Sequence, residues 1–202
     1  GLTINAPVLL GGHTSLIATG TNAAIALNNT VDGINVYQLV LNASGVGGTV
    51  AVNGLIGNAI TNTNKVTTLA VTGIATLNAD IYTTSNQTYN SAVRLGGHRI
   101  LDSNAGTIQF VSTINALTAG AQGLTIAGSG YTTFGGAVGA TAALAYLNET
   151  SSEATNINSS ISTTGYQTFT GVVTIGVTSG SVAAFRTDNA PVMFTGAIDG
   201  LV

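Results

Sequence analysis

Charge is what this 202-residue chain has least of. Lys and Arg number four (Lys65, Arg94, Arg99, Arg186) and Asp and Glu seven, and together they make up 5% of the residues, against about 25% in an ordinary globular domain. Between Asp102 and Glu149 there is none at all. A surface so short of cations cannot neutralise a phosphate backbone, which excludes nucleic acid as a main partner. Cys is absent, so there is neither a disulfide scaffold nor a thiolate metal site. No window approaches 18 unbroken apolar residues, which excludes a helical membrane span. Trp is also absent, and an outer-membrane barrel needs aromatic girdles at both interfaces. Helix signals are scarce, because β-branched residues, Gly and Asn crowd every window. The one helical candidate is 139–149, GATAALAYLNE. No basic segment precedes an apolar run and Gly1 is not an initiator, as expected of a mature or excised piece.

What the chain has in quantity is repetition. Phe110-Val111-Ser112-Thr113-Ile114 is answered 24 residues later by Phe134-Gly135-Gly136-Ala137-Val138. Between them Leu124-Thr125-Ile126-Ala127 alternates apolar and small polar residues, the period of a strand with one buried side. A longer repeat encloses this one. Val8-Leu9-Leu10-Gly11-Gly12-His13 returns as Val93-Arg94-Leu95-Gly96-Gly97-His98, 85 residues on, and again, more diverged, as Val173-Thr174-Ile175-Gly176. Ile81-Tyr82-Thr83-Thr84 and Gln87-Thr88-Tyr89 align with Ile161-Ser162-Thr163-Thr164 and Gln167-Thr168-Phe169 at an offset of 80. A match of this length in fixed register indicates duplication. The chain therefore reads as a single repeat unit over 1–202, with approximate long repeats 1–80, 81–160 and a partial third, 161–202.

The aromatics Tyr89, Phe110, Phe134, Phe169 and Phe194 are 21, 24, 35 and 25 residues apart. Those intervals suit one coil of a parallel β-solenoid, with an extended coil between Phe134 and Phe169. A coil of this length cannot bury its apolar side alone, so coils stack, and equivalent residues lie about 4.8 Å apart up the stack. The five rings are expected to form an interior ladder. The predicted fold is all-β, a β-helix of about nine coils. A string of antiparallel sandwiches would show hairpin dipeptides every 8–12 residues; Asp32-Gly33, Asn53-Gly54 and Asp199-Gly200 are too few.

The run Ala116-Leu117-Thr118-Ala119-Gly120-Ala121-Gln122-Gly123-Leu124-Thr125-Ile126, followed by Thr132-Thr133-Phe134-Gly135-Gly136-Ala137-Val138-Gly139-Ala140, resembles the repeats of filamentous-haemagglutinin-like adhesins and related β-strand-repeat proteins of bacterial surfaces. The resemblance is close from about Ile81 to Val202 and looser before it. It implies a right-handed parallel β-helix, export to the cell surface or medium, and a role as a long stalk or adhesive fibre. It identifies architecture better than any ligand, and no secretion domain accompanies it.

Candidate sites are sparse. Some β-helices cleave acidic polysaccharides with clustered carboxylates and basic residues, but here the acids are scattered. Arg99 with Asp102, and Arg186 with Asp188, are the nearest approaches to a pair. Glu149 and Glu153 lie in NETSSEATN, which reads as a solvated loop. His13 and His98 both follow Gly-Gly; as duplicated corner residues about four coils apart they stand about 19 Å from each other, too far to share one zinc. No calcium nonapeptide, EF-hand loop or phosphate loop occurs. The expectation is no catalytic residue, no metal and no cofactor. Two functions remain: a structural stalk or fibre module, and a carbohydrate- or surface-binding module in which exposed Tyr37, Tyr82, Tyr131, Tyr146 and Tyr166 stack on sugars or a host surface. A polysaccharide-degrading enzyme is third. Gly1-Leu2-Thr3-Ile4 and Ala197 to Val202 are apolar and strand-like, without the polar cap that blunts a solenoid's end. The expected partner is therefore another copy joined end to end, or the rest of a longer repeat protein.

Overall fold

Alternation turns each short segment into a strand with one inward side. In Gln38–Ser44, Leu39, Leu41 and Ala43 are buried, while Val40 and Asn42 between them are partly exposed. Gly and Asn then supply the corners. Asn22, Asn104 and Asn189 take positive φ, as do eight of the glycines, a backbone region that Asn and Gly enter at low cost. The computed structural model describes residues 1–58, 66–177 and 181–200; Lys65, Leu201 and Val202 lie outside them.

The chain winds through three faces in turn. The first face stacks Leu2–Ile4, Ala24–Leu27, Thr49–Val52, Ile74–Leu77, Val93–Leu95 and Ile114–Ala116. It continues through a bridge at Val138 to Ile161–Ser162 and Phe185–Arg186. The second face runs Val8–Leu10, Val31–Gly33, a bridge at Ile56, then Ile81–Tyr82, Arg99–Asp102, Leu124–Ala127, Leu147–Glu149, Gln167–Phe169 and Val192–Phe194. The third is one nine-stranded sheet from Thr14–Thr19 to Ile198–Gly200. Every described pairing is parallel, as between Thr14 and Leu39 or Val173 and Ile198. Among the described residues there is no helix. The helical candidate resolves into turns and the strand Leu147–Glu149. Asp32-Gly33 and Asp199-Gly200 lie within parallel strands, not hairpins. Nine strands on the third face, joined by eight turns of chain, make a β-solenoid about 40 Å along its axis.

One core runs from Leu10 to Val173 without a break. Its columns can be read from the registers. Leu2, Ile25, Val50, Ala75, Val93, Ile114, Val138, Ile161 and Phe185 stand one above another on the first face. Tyr89, Phe110, Phe134 and Phe169 are fully buried and Phe194 partly so, but they form two columns rather than one ladder. Tyr89, Phe110 and Phe134 stack on the third face, with centroids 5.0 and 5.7 Å apart. The residue above Phe134 in that column is Ile157. Phe169 and Phe194 stack on the second face, 5.1 Å apart. The 35-residue interval is therefore a change of face, not an extended coil.

The long repeat has the same explanation. Val8–Leu10 lies on the second face, Val93–Leu95 on the first and Val172–Ile175 on the third. Each copy is displaced by eleven face-to-face steps, three coils and two faces, so the duplicated sequence moves back by one face every time. Sequence repeats and solenoid coils have different periods, and 1–80, 81–160 and 161–202 do not end at equivalent points of a coil.

Candidate functional site

The five tyrosines do not share a face. None of them stands in the interior ladder. Tyr37 sits at a corner against His13, edge to face at 6.0 Å. Tyr131 is exposed just before Thr132–Phe134. Tyr82 faces outward between carboxylates: burial, then Asp80 and Asp102, push its phenol above the usual range. Tyr146 and Tyr166 are brought together, and His98 joins them. Tyr146 stacks on Tyr166 at 5.3 Å and 8°, and on His98 at 5.3 Å and 23°. All three precede strands of the second face, so they form one column along one corner. The residue between His98 and Tyr146 in that column is Gly123. A Cβ there would collide with the Tyr146 ring, so the glycine lets Tyr146 lean back to the imidazole one coil further away. The column was hidden in the sequence because its members are 48 and 20 residues apart.

His13 and His98 do the same task at different corners. His13 Nδ1 accepts the Gln38 N–H at 3.2 Å, and His98 Nδ1 accepts the Gly123 N–H at 3.0 Å. Each imidazole satisfies a backbone donor of the next coil. They are equivalent positions of the long sequence repeat but occupy different corners of the coil.

Among the described residues, Arg99 pairs across coils rather than along the chain. Arg99 bonds Asp80, 3.3 Å away and one coil earlier, and the Asn78 carbonyl at 3.0 Å. Asp102, three residues on, instead accepts the Asn104 N–H at 2.7 Å. Burial raises the Asp32 carboxyl above its ordinary value. A shallow groove of about 450 Å³ on the first face is lined by Arg94, Asn115, Leu117 and Thr141 among others, but Asn115 Oδ1 is already taken by the N–H groups of Thr141 and Ala142.

Glu149 overturns the solvated-loop expectation. It is fully buried and stands in the apolar column of the second face between Ile126 and Phe169. Its Oε1 accepts from Thr132 Oγ1 at 3.0 Å, from the Ser151 N–H at 3.1 Å and from Ser151 Oγ. Its Oε2 and the nearby Thr155 Oγ1 have no partner. Glu153, by contrast, is exposed. The insertion is half interior, and its polar atoms hold a corner from inside.

The two end coils differ from the rest. Leu2, Ile4, Val8 and Leu16 at one end, and Phe185, Val192 and Phe194 at the other, point inward yet are only partly buried. Ile198 is 54% exposed. Along one edge of the first face, Asn28, Asn53 and Asn78 each donate Nδ2 to the Oδ1 of the Asn one coil earlier, at 2.7, 2.7 and 2.6 Å, and the ladder begins at Asn5. Comparison with family profiles, curated proteins and solved structures gave no match.

Proposed function

We propose that this chain is a stalk or fibre segment of a secreted bacterial surface protein of the filamentous-haemagglutinin-like kind. The observation that carries the proposal is the stack itself: three parallel faces around one core that runs from Leu10 to Val173. Ile25, Val31 and Leu41 in the second coil are 1%, 1% and 0% exposed, sealed by the coils on either side. Coils that seal one another in this way make a rod. A neutral Thr- and Asn-rich exterior suits a segment whose task is length. The described polar groups are mostly spent on corners, as at Gln87, His98 and Asn115.

The test is hydrogen exchange on the purified chain, with electron micrographs of the same sample. Amides of the buried columns should be protected along the whole stack, and the micrographs should show short straight rods. Globular particles in the micrographs overturn the proposal.

A carbohydrate-binding role is the second reading, favoured by the His98–Tyr146–Tyr166 column. It is the weaker one on physical grounds. Sugars stack on a free ring face, and these rings spend their faces on one another. Titration of neutral polysaccharides against wild type and Tyr166→Ala would reveal it as binding lost in the variant.

A further inference from the structure

We infer that the groove on the first face binds a small hydroxylated carboxylate, the chemistry of a sugar acid, with Arg94 holding the carboxylate. The groove exists because regular pairing stops there. The six-stranded sheet ends at Ile114–Ala116, and the next coil meets it through a single bridge, Ile114 to Val138. Beyond that bridge Gly139 takes a positive φ and the chain bends instead of continuing as a strand. The N–H groups of Thr141 and Ala142 are taken up by a side chain instead: Asn115 Oδ1 accepts both, at 3.0 and 3.3 Å. With its oxygen committed, this amide offers only donors to the groove, and Nδ2 has no acceptor among the described residues. The hydroxyls of Thr113 and Thr141 also line the groove, and they too make no hydrogen bond among the described residues.

Arg94 supplies the charge. It stands in the outward column between Thr76 and Asn115, on a strand that alternates buried, exposed, buried. Arg99 is committed to Asp80 and to the Asn78 carbonyl. Arg94, by contrast, makes no ion pair or hydrogen bond among the described residues. No charge lies between Asp102 and Glu149, so the two later coils that line the groove add no anion to oppose it. A guanidinium presents its donors as a planar fork, which a carboxylate matches with two parallel bonds. One guanidinium without a second cation suits a single negative charge better than a doubly charged phosphate. The rest of the lining sets the body of the ligand. Hydroxyls and an amide N–H pair with hydroxyl groups, and Leu117, 52% exposed, offers an apolar flank to the C–H side of a sugar ring. The groove holds about 450 Å³, within the roughly 300–1,000 Å³ of small-molecule sites. On the flank of a stalk such a site leaves the stack untouched.

The experiment is titration of the full 202-residue chain with glucuronate, glucose and acetate at low salt, read by calorimetry and by chemical shifts. Glucuronate should bind in the millimolar range, as a shallow site allows, and should move the Asn115 side-chain amide and the Leu117 methyl signals. Acetate, which keeps the charge and loses the hydroxyls, should bind at least about tenfold more weakly. Glucose, which keeps the hydroxyls and loses the charge, should not bind measurably. Arg94→Gln should lower glucuronate affinity at least about tenfold. Arg94 is exposed, so this variant should keep the fold, which circular dichroism checks, and the wild-type shifts locate the ligand independently of it. Absence of glucuronate binding, binding unaffected by R94Q, or shifts confined to other faces overturns the site. Acetate binding as tightly as glucuronate, or glucose competing with it, overturns the assignment of a sugar acid. None of these results bears on the stalk reading, which stands or falls on the shape of the particles.

Discussion

Ile81 to Tyr89 and Ile161 to Phe169 are two copies of one corner, built on different faces. The first turns from the second face to the third; the second turns from the first face to the second. Three of their hydrogen bonds match one for one. Thr83 Oγ1 donates to the Ser85 carbonyl and Thr163 Oγ1 to the Gly165 carbonyl, at 2.5 and 2.6 Å. Gln87 Nε2 reaches Thr83 Oγ1 and the Asp102 carbonyl; Gln167 Nε2 reaches Thr163 Oγ1 and the Arg186 carbonyl. Val66 lies beneath one threonine and Leu144 beneath the other. The corner is therefore encoded locally and does not depend on its face. The copies differ in a long bond from Gln87 Nε2 to the Ile81 carbonyl, 3.4 Å, which Gln167 lacks, and in one oxygen. Tyr89 donates its hydroxyl to Gln87 Oε1 at 2.9 Å; Phe169 has none to give, and Gln167 Oε1 is buried without a partner.

The largest way to break the comparison is to remove the rings. Tyr89 and Phe169 are both fully buried, so Tyr89→Ala and Phe169→Ala should each cost about 3–5 kcal/mol in urea unfolding. Tyr89→Ala should be the worse of the two, because it also orphans Gln87 Oε1. A smaller loss at Tyr89 would mean the hydroxyl bond is worth nothing.

Next come the amides themselves. Gln87→Ala removes three donated bonds and one accepted bond, while Gln167→Ala removes two donated bonds. The Asp102 and Arg186 carbonyls keep the Thr83 and Thr163 N–H groups, so each lost bond costs about 1 kcal/mol, and Gln87→Ala also orphans the buried Tyr89 hydroxyl. The expected order is Gln87→Ala below Gln167→Ala in stability, and equal losses would show that the two extra bonds at Gln87 are idle.

Tyr89→Phe converts the first corner into the second. It should cost about 1–2 kcal/mol at neutral pH, since it leaves a buried acceptor unpaired. Burial pushes the Tyr89 phenol above the ordinary tyrosine range. A folded pKa above the unfolded one gives stability that is present below about pH 10 and lost as pH rises past it. The gap between wild type and Tyr89→Phe should therefore close in alkaline solution. A gap that stays constant from about pH 7 to about pH 11 would contradict the assignment.

These corners also show what the sequence could and could not carry. Period-2 alternation, glycine at the joints and a repeated segment were enough to read parallel stacked coils, because strand and corner are local. Column membership was not readable from spacing. Phe134 and Phe169 look like neighbours along the chain, yet a corner that moves by one face puts them in different columns. Arg99 and Asp102 look paired, but in a solenoid the near neighbour is one coil away, and there Arg99 finds Asp80. Glu149 carried a usable signal. It shares the parity of Leu147 in a strand, and that parity points inward, against the polar composition around it. The Tyr146 column depended on Gly123, and a missing side chain leaves no mark in a hydrophobic pattern.

The smallest expected effect is also the sharpest test, because it adds to the second corner what the first already has. Tyr89 and Gln87 are two residues apart on one strand, so both point inward, and the same holds for Phe169 and Gln167. The rings are similarly set. Tyr89 lies on Phe110 at 5.0 Å and 10°, and Phe169 on Phe194 at 5.1 Å and 12°. A hydroxyl on Phe169 should therefore reach Gln167 Oε1. One added oxygen must be accommodated, and Phe194 above it is only partly buried and can yield. A hydrogen bond is worth about 1 kcal/mol net, which for a chain of this size raises the melting temperature by about 2–4 °C. Phe169→Tyr should show that gain, and the gain should vanish in a Gln167→Ala background, because coupling of that kind identifies a direct contact. If Phe169→Tyr is neutral or destabilising, or if its gain survives without Gln167, the two corners are alike in outline only, and the unpaired oxygen is not what separates them.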